Sequence, residues 1–418
     1  MLVKKRNGDL QEFHNKKIYE AICKAMKATG EYNPDSAEVA KRIAKTVKSC
    51  NKNKETITVE EIQDQVENAL MGSRLKKTAR AYIRYRYDRE KVRDSKSALM
   101  SQVAEKLNAT NVENQNANLD ERSFGGRMGE ATRVVMKDYA LYNCMSEMAR
   151  NNHLNNEIYI HDLDSYAIGM HNCLSLPLDD LLAKGFNTRQ VDIRPAGSLN
   201  TAFQLVAVLF QIQSLQQFGG VSATHLDWTM VPYVRKSFYK HFIDGCKYLN
   251  GDCKYATKEM SIIDPYYLQS ADAYKYAKDM TEKECHQAVE GMYHNLNSLQ
   301  SRSGNQLPFS SINYGTCTLQ EGRMVIKALL EVSIEGLGAL HRTSIFPCGI
   351  FQCMKGVNRK PGDPNYDLFQ LALKSTAKRL YPNYANVDWS NNAGYDRNDP
   401  TTYFSTMGKR KLSPSKIF

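Results

Sequence analysis

The residues best able to do redox or nucleophilic chemistry are ten cysteines, at positions 23, 50, 144, 173, 246, 253, 285, 317, 348 and 353. None forms a Cys-x-x-Cys pair, so their spacing gives no zinc ribbon or finger. In a reducing compartment most are expected to be small core residues. Cys173 stands apart by its setting, Asn172-Cys173-Leu174-Ser175-Leu176-Pro177, downstream of Tyr159-Ile160-His161-Asp162-Leu163-Asp164. A lone cysteine is usually a buried apolar side chain, and His161 is either a polar group of a binding site or a core histidine ending a strand. Asn172 and the Ser310-Ser311 pair either line a pocket or cap a strand.

A second group of residues is cationic. Lys5 and Arg6 flank Asn7-Gly8, a strong signal for a tight hairpin, and Lys17 falls in the first turn of the helix expected next. A hairpin and a helix start carrying these charges can bracket a triphosphate with point charges and a forked guanidinium. Arg84, Arg86 and Arg89 can add a further positive group from a later helix, and His14 is a candidate polar contact. The bland alternative is a solvated basic face. The charge distribution bears on this: residues 1–100 hold 23 Lys and Arg against 14 Asp and Glu, whereas 101–418 hold 33 against 31. A basic first quarter invites a phosphate-bearing ligand.

The elements that must position these residues follow from periodicity. Residues 1–94 read as a hairpin followed by about four helices. Ile18, Ala21, Ile22, Ala25 and Met26 share one face of the first, which Gly30 and Pro34 end. Val39, Ile43 and Val47 point inward on the second; Thr58 caps a third, with Ile62, Val66, Ala69 and Leu70 inward; Arg74 to Arg93 form the fourth. Residues 95–120 are polar and read as a linker and the start of the body. From about Arg122, long helices alternate with short apolar runs such as Glu157–His161 and Met324–Ile326, the pattern of a large α/β domain over 121–408. Residues 409–418 read as an unrelated basic tail.

The opening segment, Val3 to Gly8 with Phe13, Lys17-Ile18 and Ala21-Ile22, resembles the ATP-cone, a regulatory domain of ribonucleotide reductases. Four later blocks, Tyr159–Asp164, Asn172–Leu178, Leu307–Gly315 and Phe404–Gly408, with Ser301–Gly304 ahead of the third, resemble in order and spacing the large subunit of anaerobic (class III) ribonucleoside-triphosphate reductases. That resemblance implies a glycyl-radical enzyme that reduces ribonucleoside triphosphates to deoxyribonucleoside triphosphates for DNA synthesis. It implies a mostly helical cone followed by part of a ten-stranded α/β barrel made of two five-stranded halves. The implied effectors are ATP and dATP, bound in the cone by Lys5, Arg6, Lys17, His14 and Arg89. By resemblance Cys173 returns hydrogen to the ribose, beside His161 and Asn172, with Ser310, Ser311 and Met407 near substrate. An S-adenosylmethionine-dependent activase, zinc, formate or a redoxin, and a homodimer go with the complete family enzyme.

The sequence departs from the family after Met407-Gly408. Lys409 follows where the family carries its radical cysteine, and the zinc-holding cysteines and radical glycine do not follow. The expectation is therefore a barrel incomplete at its C-terminus, inactive alone, from an interrupted or a split gene, with a complementary C-terminal chain as partner. The alternative is a non-catalytic regulatory fragment that binds ATP or dATP. Nucleic-acid binding is disfavoured by the near-neutral body. No run is long and apolar enough to span a bilayer, and the start lacks a signal-peptide pattern, so the expected location is cytoplasmic.

Overall fold

The computed structural model describes residues 2–5, 9–107, 124–169, 172–249, 251–302, 306–388 and 395–403, with backbone alone for 92–98. Arg6, the Asn7-Gly8 turn, residues 108–120 of the expected linker, Met407 and the tail lie outside the described residues. The chain divides into two compact units, 1–102 and 103–418.

In the first unit, β1 (Leu2–Lys4) pairs antiparallel with β2 (Leu10–Glu12), Leu2 opposite Glu12. This is the expected hairpin. Its sheet has a third strand, β3 (Thr56–Thr58), parallel to β1, which a three-residue Thr-Ile-Thr run is too short to announce. Four helices follow the expected scheme: α1 (Asn15–Thr29), α2 (Pro34–Cys50), α3 (Val59–Met71) and α4 (Lys76–Leu107). Gly30, at φ 70°, ends α1 in the left-handed conformation that glycine adopts without penalty. Reciprocal capping boxes open α2 (Asn33 with Ser36) and α3 (Thr58 with Glu61), satisfying backbone N–H groups that no helical turn can reach. Ile22, Met26, Ala40, Val47, Val66 and Leu70 close the core. The fourth helix corrects one boundary. It runs to Leu107 rather than ending near Arg93, so the segment expected to open a linker at 95 begins as helix.

The second unit begins with α5 (Phe124–Tyr139), a π-helical turn over Ala140–Cys144, α6 (Glu147–Leu154) and α7 (Leu163–Tyr166). Then come β4 (Leu174–Ser175), α8 (Leu178–Lys184), the short pair β5 (Phe186–Asn187) and β6 (Asp192–Ile193), and α9 (Leu199–Ser214). They are followed by β7 (Val221–Ala223), α10 (Leu226–Thr229), α11 (Val231–Leu249), α12 (Pro265–Leu268) and α13 (Ala271–Ser298). The remainder is β8 (Ser310–Tyr314), α14 (Gln320–Glu335), β9 (Cys348–Cys353), α15 (Tyr366–Arg379) and β10 (Asn383–Asn386). Two runs differ from expectation. Met324–Ile326 lies inside α14, its apolar residues repeating at helical spacing, and Glu157–His161 forms no strand.

Strands β4, β7, β8, β9 and β10 form one sheet in chain order, every neighbouring pair parallel. Five parallel strands in sequence order, joined by helical crossovers, are what one half of the expected barrel requires. The register sorts the residues by face. Val221, Ala223, Ile312, Tyr314 and Phe351 pack into the large apolar core with α9, α11, α13 and α14. Alternate positions put Ser222, Ser311, Asn313 and Gln352 on the opposite face, all buried. Asn313 Nδ2 donates to Ser222 Oγ at 3.2 Å and to the Ala223 carbonyl at 2.9 Å, so this second face is polar yet internally bonded. Aromatic rings fill the helical layer, with Phe242 and Tyr267 edge-on at 4.7 Å.

Candidate functional site

In the first unit a cavity of about 710 Å³ opens along α1 and α4. Lys17 and Lys24, two turns apart on α1, face it with Tyr82, Tyr85, Arg86 and Arg89 of α4. Arg86 is already committed, at 2.5 Å to Asp64 and 3.1 Å to Glu67. Burial works against its charge, but those two carboxylates outweigh it and hold the guanidinium above its ordinary value. Arg89 donates from Nε to the Tyr85 hydroxyl at 3.0 Å and lies 5.4 Å from that ring, an orientation that steadies the long side chain. The cavity thus offers Lys17, Lys24 and Arg89 as cations and two tyrosine rings as a surface for a flat heterocycle.

Of the cone residues expected from sequence, Lys17 and Arg89 line this cavity; Lys5, His14 and Arg84 do not. The Lys5 backbone N–H closes the hairpin on the Asp9 carbonyl at 2.8 Å, and the His14 carbonyl takes the Lys17 N–H at 3.1 Å. Sequence reasoning missed Lys24, Tyr82 and Tyr85, although the spacing carried the signal. Lys24 follows Lys17 by two turns, and Tyr82, Tyr85 and Arg89 fall on one helical face.

In the second unit Cys173 immediately precedes β4, half-buried. Its Sγ–H donates to Asn172 Oδ1 at 3.3 Å, and its sulfur accepts the Gly220 N–H at 3.3 Å. This approach depends on two glycines. A Cβ at Gly219 would stand 1.8 Å from the Asn172 carbonyl oxygen, and one at Gly220 would stand 2.5 Å from the Phe309 ring. Arg302 bonds to the same segment, donating to the Phe218 carbonyl. A second cavity, about 220 Å³, lies here, with Arg133, Asp162, Asp164, Phe218 and Arg302 in its wall.

The structure brings Asn172 and Cys173 into contact, and among the described candidates His161, Ser310 and Ser311 do not line the cavity beside them. His161 is not a core histidine ending a strand: its side chain is 54% exposed, and Nδ1 meets Asp162 Oδ2 at 2.5 Å. Ser310 opens β8 and Ser311 follows it, both buried, and neither lines the cavity beside Cys173. Arg133 was not singled out from sequence, and Arg302 entered only as part of the Ser301–Gly304 block, with no role given to it. Among the described residues no three His, Cys, Asp or Glu side chains converge as metal ligands.

Comparison with known proteins gives these two sites a context. The family described as "Anaerobic ribonucleoside-triphosphate reductase" matches residues 115–413. The chain belongs to the anaerobic ribonucleoside-triphosphate reductase family. The ATP cone domain matches residues 1–91, the unit that holds the larger cavity, which supports nucleotide effector binding there. The family match runs to 413, past the boundary at 408 expected for an unrelated tail.

The anaerobic ribonucleoside-triphosphate reductase of Salmonella typhimurium is 33% identical over 389 residues, covering 92% of this chain and 51% of that protein. Its namesake in Haemophilus influenzae is 33% identical over 92% of this chain and 52% of its own length. The chain therefore spans about half the length of the curated relatives it matches. The solved anaerobic ribonucleotide reductase of Thermotoga maritima, with dATP bound in the specificity site, superposes with a TM-score of 0.47 at 15% identity. That overlay covers 73% of this chain and 51% of the solved one. As in the family, the α/β body follows an N-terminal cone, and among the described residues no helix is long and apolar enough to cross a membrane.

Proposed function

We propose that this chain forms the effector-binding cone and the Cys173-bearing part of the barrel of a reductase that converts ribonucleoside triphosphates to deoxyribonucleoside triphosphates. The observation that carries the reading is the thiol of Cys173, held between Asn172 Oδ1 and the Gly220 N–H at the start of an edge strand of the parallel sheet. In the overall reaction the ribose 2′-hydroxyl leaves as water and a hydrogen takes its place. Formate or a dithiol redoxin supplies the two electrons. Cys173 delivers hydrogen to the sugar, and Asn172 orients the S–H. A glycyl radical, made in this family by an S-adenosylmethionine-dependent activase, supplies the one-electron chemistry when present. No step is assigned to zinc, because the described residues include no converging donor set. The complete enzyme works as a homodimer.

The effectors are ATP, activating, and dATP, inhibiting, bound in the cone cavity with the phosphates on Lys17, Lys24 and Arg89 and the base against Tyr82 and Tyr85. Arg86, in its ion pair with Asp64, shapes the wall instead of meeting phosphate. Lys5, Arg6 and His14 are further effector contacts in this reading. Calorimetry on the full chain tests this half: Lys17→Ala and Arg89→Ala should each weaken dATP about tenfold, the loss of one charge-assisted contact. Unchanged affinity in both removes the ligand from this cavity. For the body, Cys173→Ala in the reconstituted enzyme should abolish deoxynucleotide formation while leaving dATP affinity intact. Turnover near the wild-type rate assigns hydrogen delivery elsewhere.

A further inference from the structure

The chain folds back on a cysteine at the end of α11. Cys246 lies in the last turn of that helix, buried, with its side chain in the large apolar core. Beyond the helix the Gly251 N–H donates to the Cys246 carbonyl at 3.1 Å, which turns the chain back over its own helix end. The crossing leaves no room for a side chain. A Cβ at Gly251 would stand 2.8 Å from Cys246 Sγ and 3.2 Å from both Cys246 Cα and Ala273 Cβ. The segment that follows is pinned on both sides of Cys253. The Asp252 N–H donates to Ser270 Oγ at 3.0 Å, and the Tyr266 hydroxyl donates to the Asp252 carbonyl at 3.3 Å. The Ala256 N–H donates to the Cys253 carbonyl at 3.2 Å.

This reversal brings two sulfurs together. Burial first, and then the charge and hydrogen bond of the neighbouring Cys253 thiol, push the Cys246 thiol up to about 11. Cys246 therefore stays protonated at neutral pH and is a poor first nucleophile. Cys253 is half-buried, so it is the sulfur that a solute meets. Three other cysteines bond to groups other than sulfur: Cys173 to Asn172 Oδ1, Cys285 to the Met324 carbonyl and Cys348 to the Tyr381 hydroxyl. An accessible thiol against a buried one is an arrangement in which a sulfenic acid is captured before it oxidises further.

We propose that Cys253 and Cys246 form a reversible redox site that takes a hydroperoxide as oxidant and closes as a disulfide. With hydrogen peroxide, the Cys253 sulfur attacks the O–O bond and keeps one oxygen as sulfenic acid, while the other leaves as water. The Cys246 sulfur then displaces the sulfenic hydroxyl, which departs with the Cys246 proton as a second water. Each cysteine gives up one electron, and the peroxide takes both. A dithiol restores the pair by exchange through a mixed disulfide and is itself oxidised. The site goes beyond the reductase reading, and its test needs neither nucleotide nor radical.

The test exposes the reduced full chain to an equimolar amount of hydrogen peroxide and blocks remaining thiols with N-ethylmaleimide in denaturant. Tryptic peptides are then mapped by mass spectrometry without reductant. Cleavage after Lys247 separates the two cysteines, so their disulfide appears as a linked peptide pair that dithiothreitol releases. Cys246 and Cys253 should lose their maleimide label together, while exposed Cys50 and Cys144 keep theirs. Cys246→Ser should leave Cys253 as a sulfenic acid that dimedone traps, and Cys253→Ser should leave Cys246 fully labelled. Gly251→Ala should slow the linkage several-fold, because its Cβ displaces the segment that carries Cys253 to Cys246. Should the variants fail to fold, the linked pair in the unmutated chain decides alone. Oxidation of Cys253 to sulfinic acid with Cys246 still labelled, linkage of either to another cysteine, or loss of label at Cys50 as fast as at Cys253 would each overturn the proposal.

Discussion

Replacing Gly219 by alanine isolates the contact on which the Cys173 site depends. Gly219 does not occupy the left-handed backbone region, so alanine strains no torsion there, and the whole effect is steric. The new Cβ would stand 1.8 Å from the Asn172 carbonyl oxygen and 2.3 Å from its carbonyl carbon and Oδ1. Both partners are backbone or short side chain, so neither swings clear, and one segment must retreat by about an ångström. Overpacking of this kind costs roughly 1–3 kcal/mol, and a backbone-to-backbone clash belongs at the upper end. At about 2 °C per kcal/mol for a unit of this size, the melting temperature of the body should fall by roughly 6 °C. The Gly220 N–H bond to sulfur should break as well, so Cys173 should react with iodoacetamide several times faster. In a complete enzyme, displacement of a reacting group by ~1 Å should lower turnover about 100-fold. Calorimetry and the alkylation rate measure the first two. An unchanged melting temperature together with an unchanged Cys173 rate would refute the packing argument.

Glu284 accepts from Asn200 N–H at 3.2 Å and Ser237 Oγ at 2.9 Å, and meets His241 Nε2 at 2.8 Å. Burial opposes its charge, yet these bonds prevail and hold its pKa below 4.5. The folded state therefore binds fewer protons than the unfolded one, and this stability is present above pH 4.5 and lost as pH falls through the folded value. Glu284→Gln should make the acid limb of the stability curve shallower, as urea titrations from pH 6 to 3 would read. Arg235→Ala should cost about 3–5 kcal/mol by stranding the fully buried Glu321, its partner at 2.8 Å; adding Glu321→Gln should recover part of the loss in thermal melts. Asn33→Ala, which deletes the α2 capping box, should cost the cone about 1 kcal/mol in denaturant titrations.

Much of the fold could be read along the chain because its signals are local. Gly30, Asn33 and Thr58 punctuate the cone helices, and the apolar faces of α1 to α3 repeat at helical spacing. The α/β alternation of the body was legible for the same reason, and so was the Asn172-Cys173 pairing, which is contiguous. Reading failed where structure depends on distant partners. β3 exists because Ile57 lies beside Val3, and Met324–Ile326 is helical because the whole of α14 packs on the core. The polar stretch after Arg93 suggested a linker, yet α4 continues through it, since charged residues favour helix as readily as coil. Lys24, Tyr82 and Tyr85 went unread because side-chain direction along α1 and α4 decides what faces a cavity. Arg302 stood in the Ser301–Gly304 block without a role, because its bond to the Phe218 carbonyl reaches more than eighty residues back.

The two-faced register of β8 governs how this protein can change over time. Ile312 and Tyr314 face the helical layer, while Ser311 and Asn313 face the bonded polar side. Point substitutions can be absorbed one position at a time, each at its own cost. Inserting or deleting a single residue within β8 is a different event, because every side chain beyond it moves to the other side of the sheet. Tyrosine would meet the Ser222 network, and asparagine would enter the aromatic layer, with no partial accommodation between them. Variation in length should therefore concentrate in the crossovers, and a one-codon slip in this strand should be lost as a fold rather than inherited as a variant.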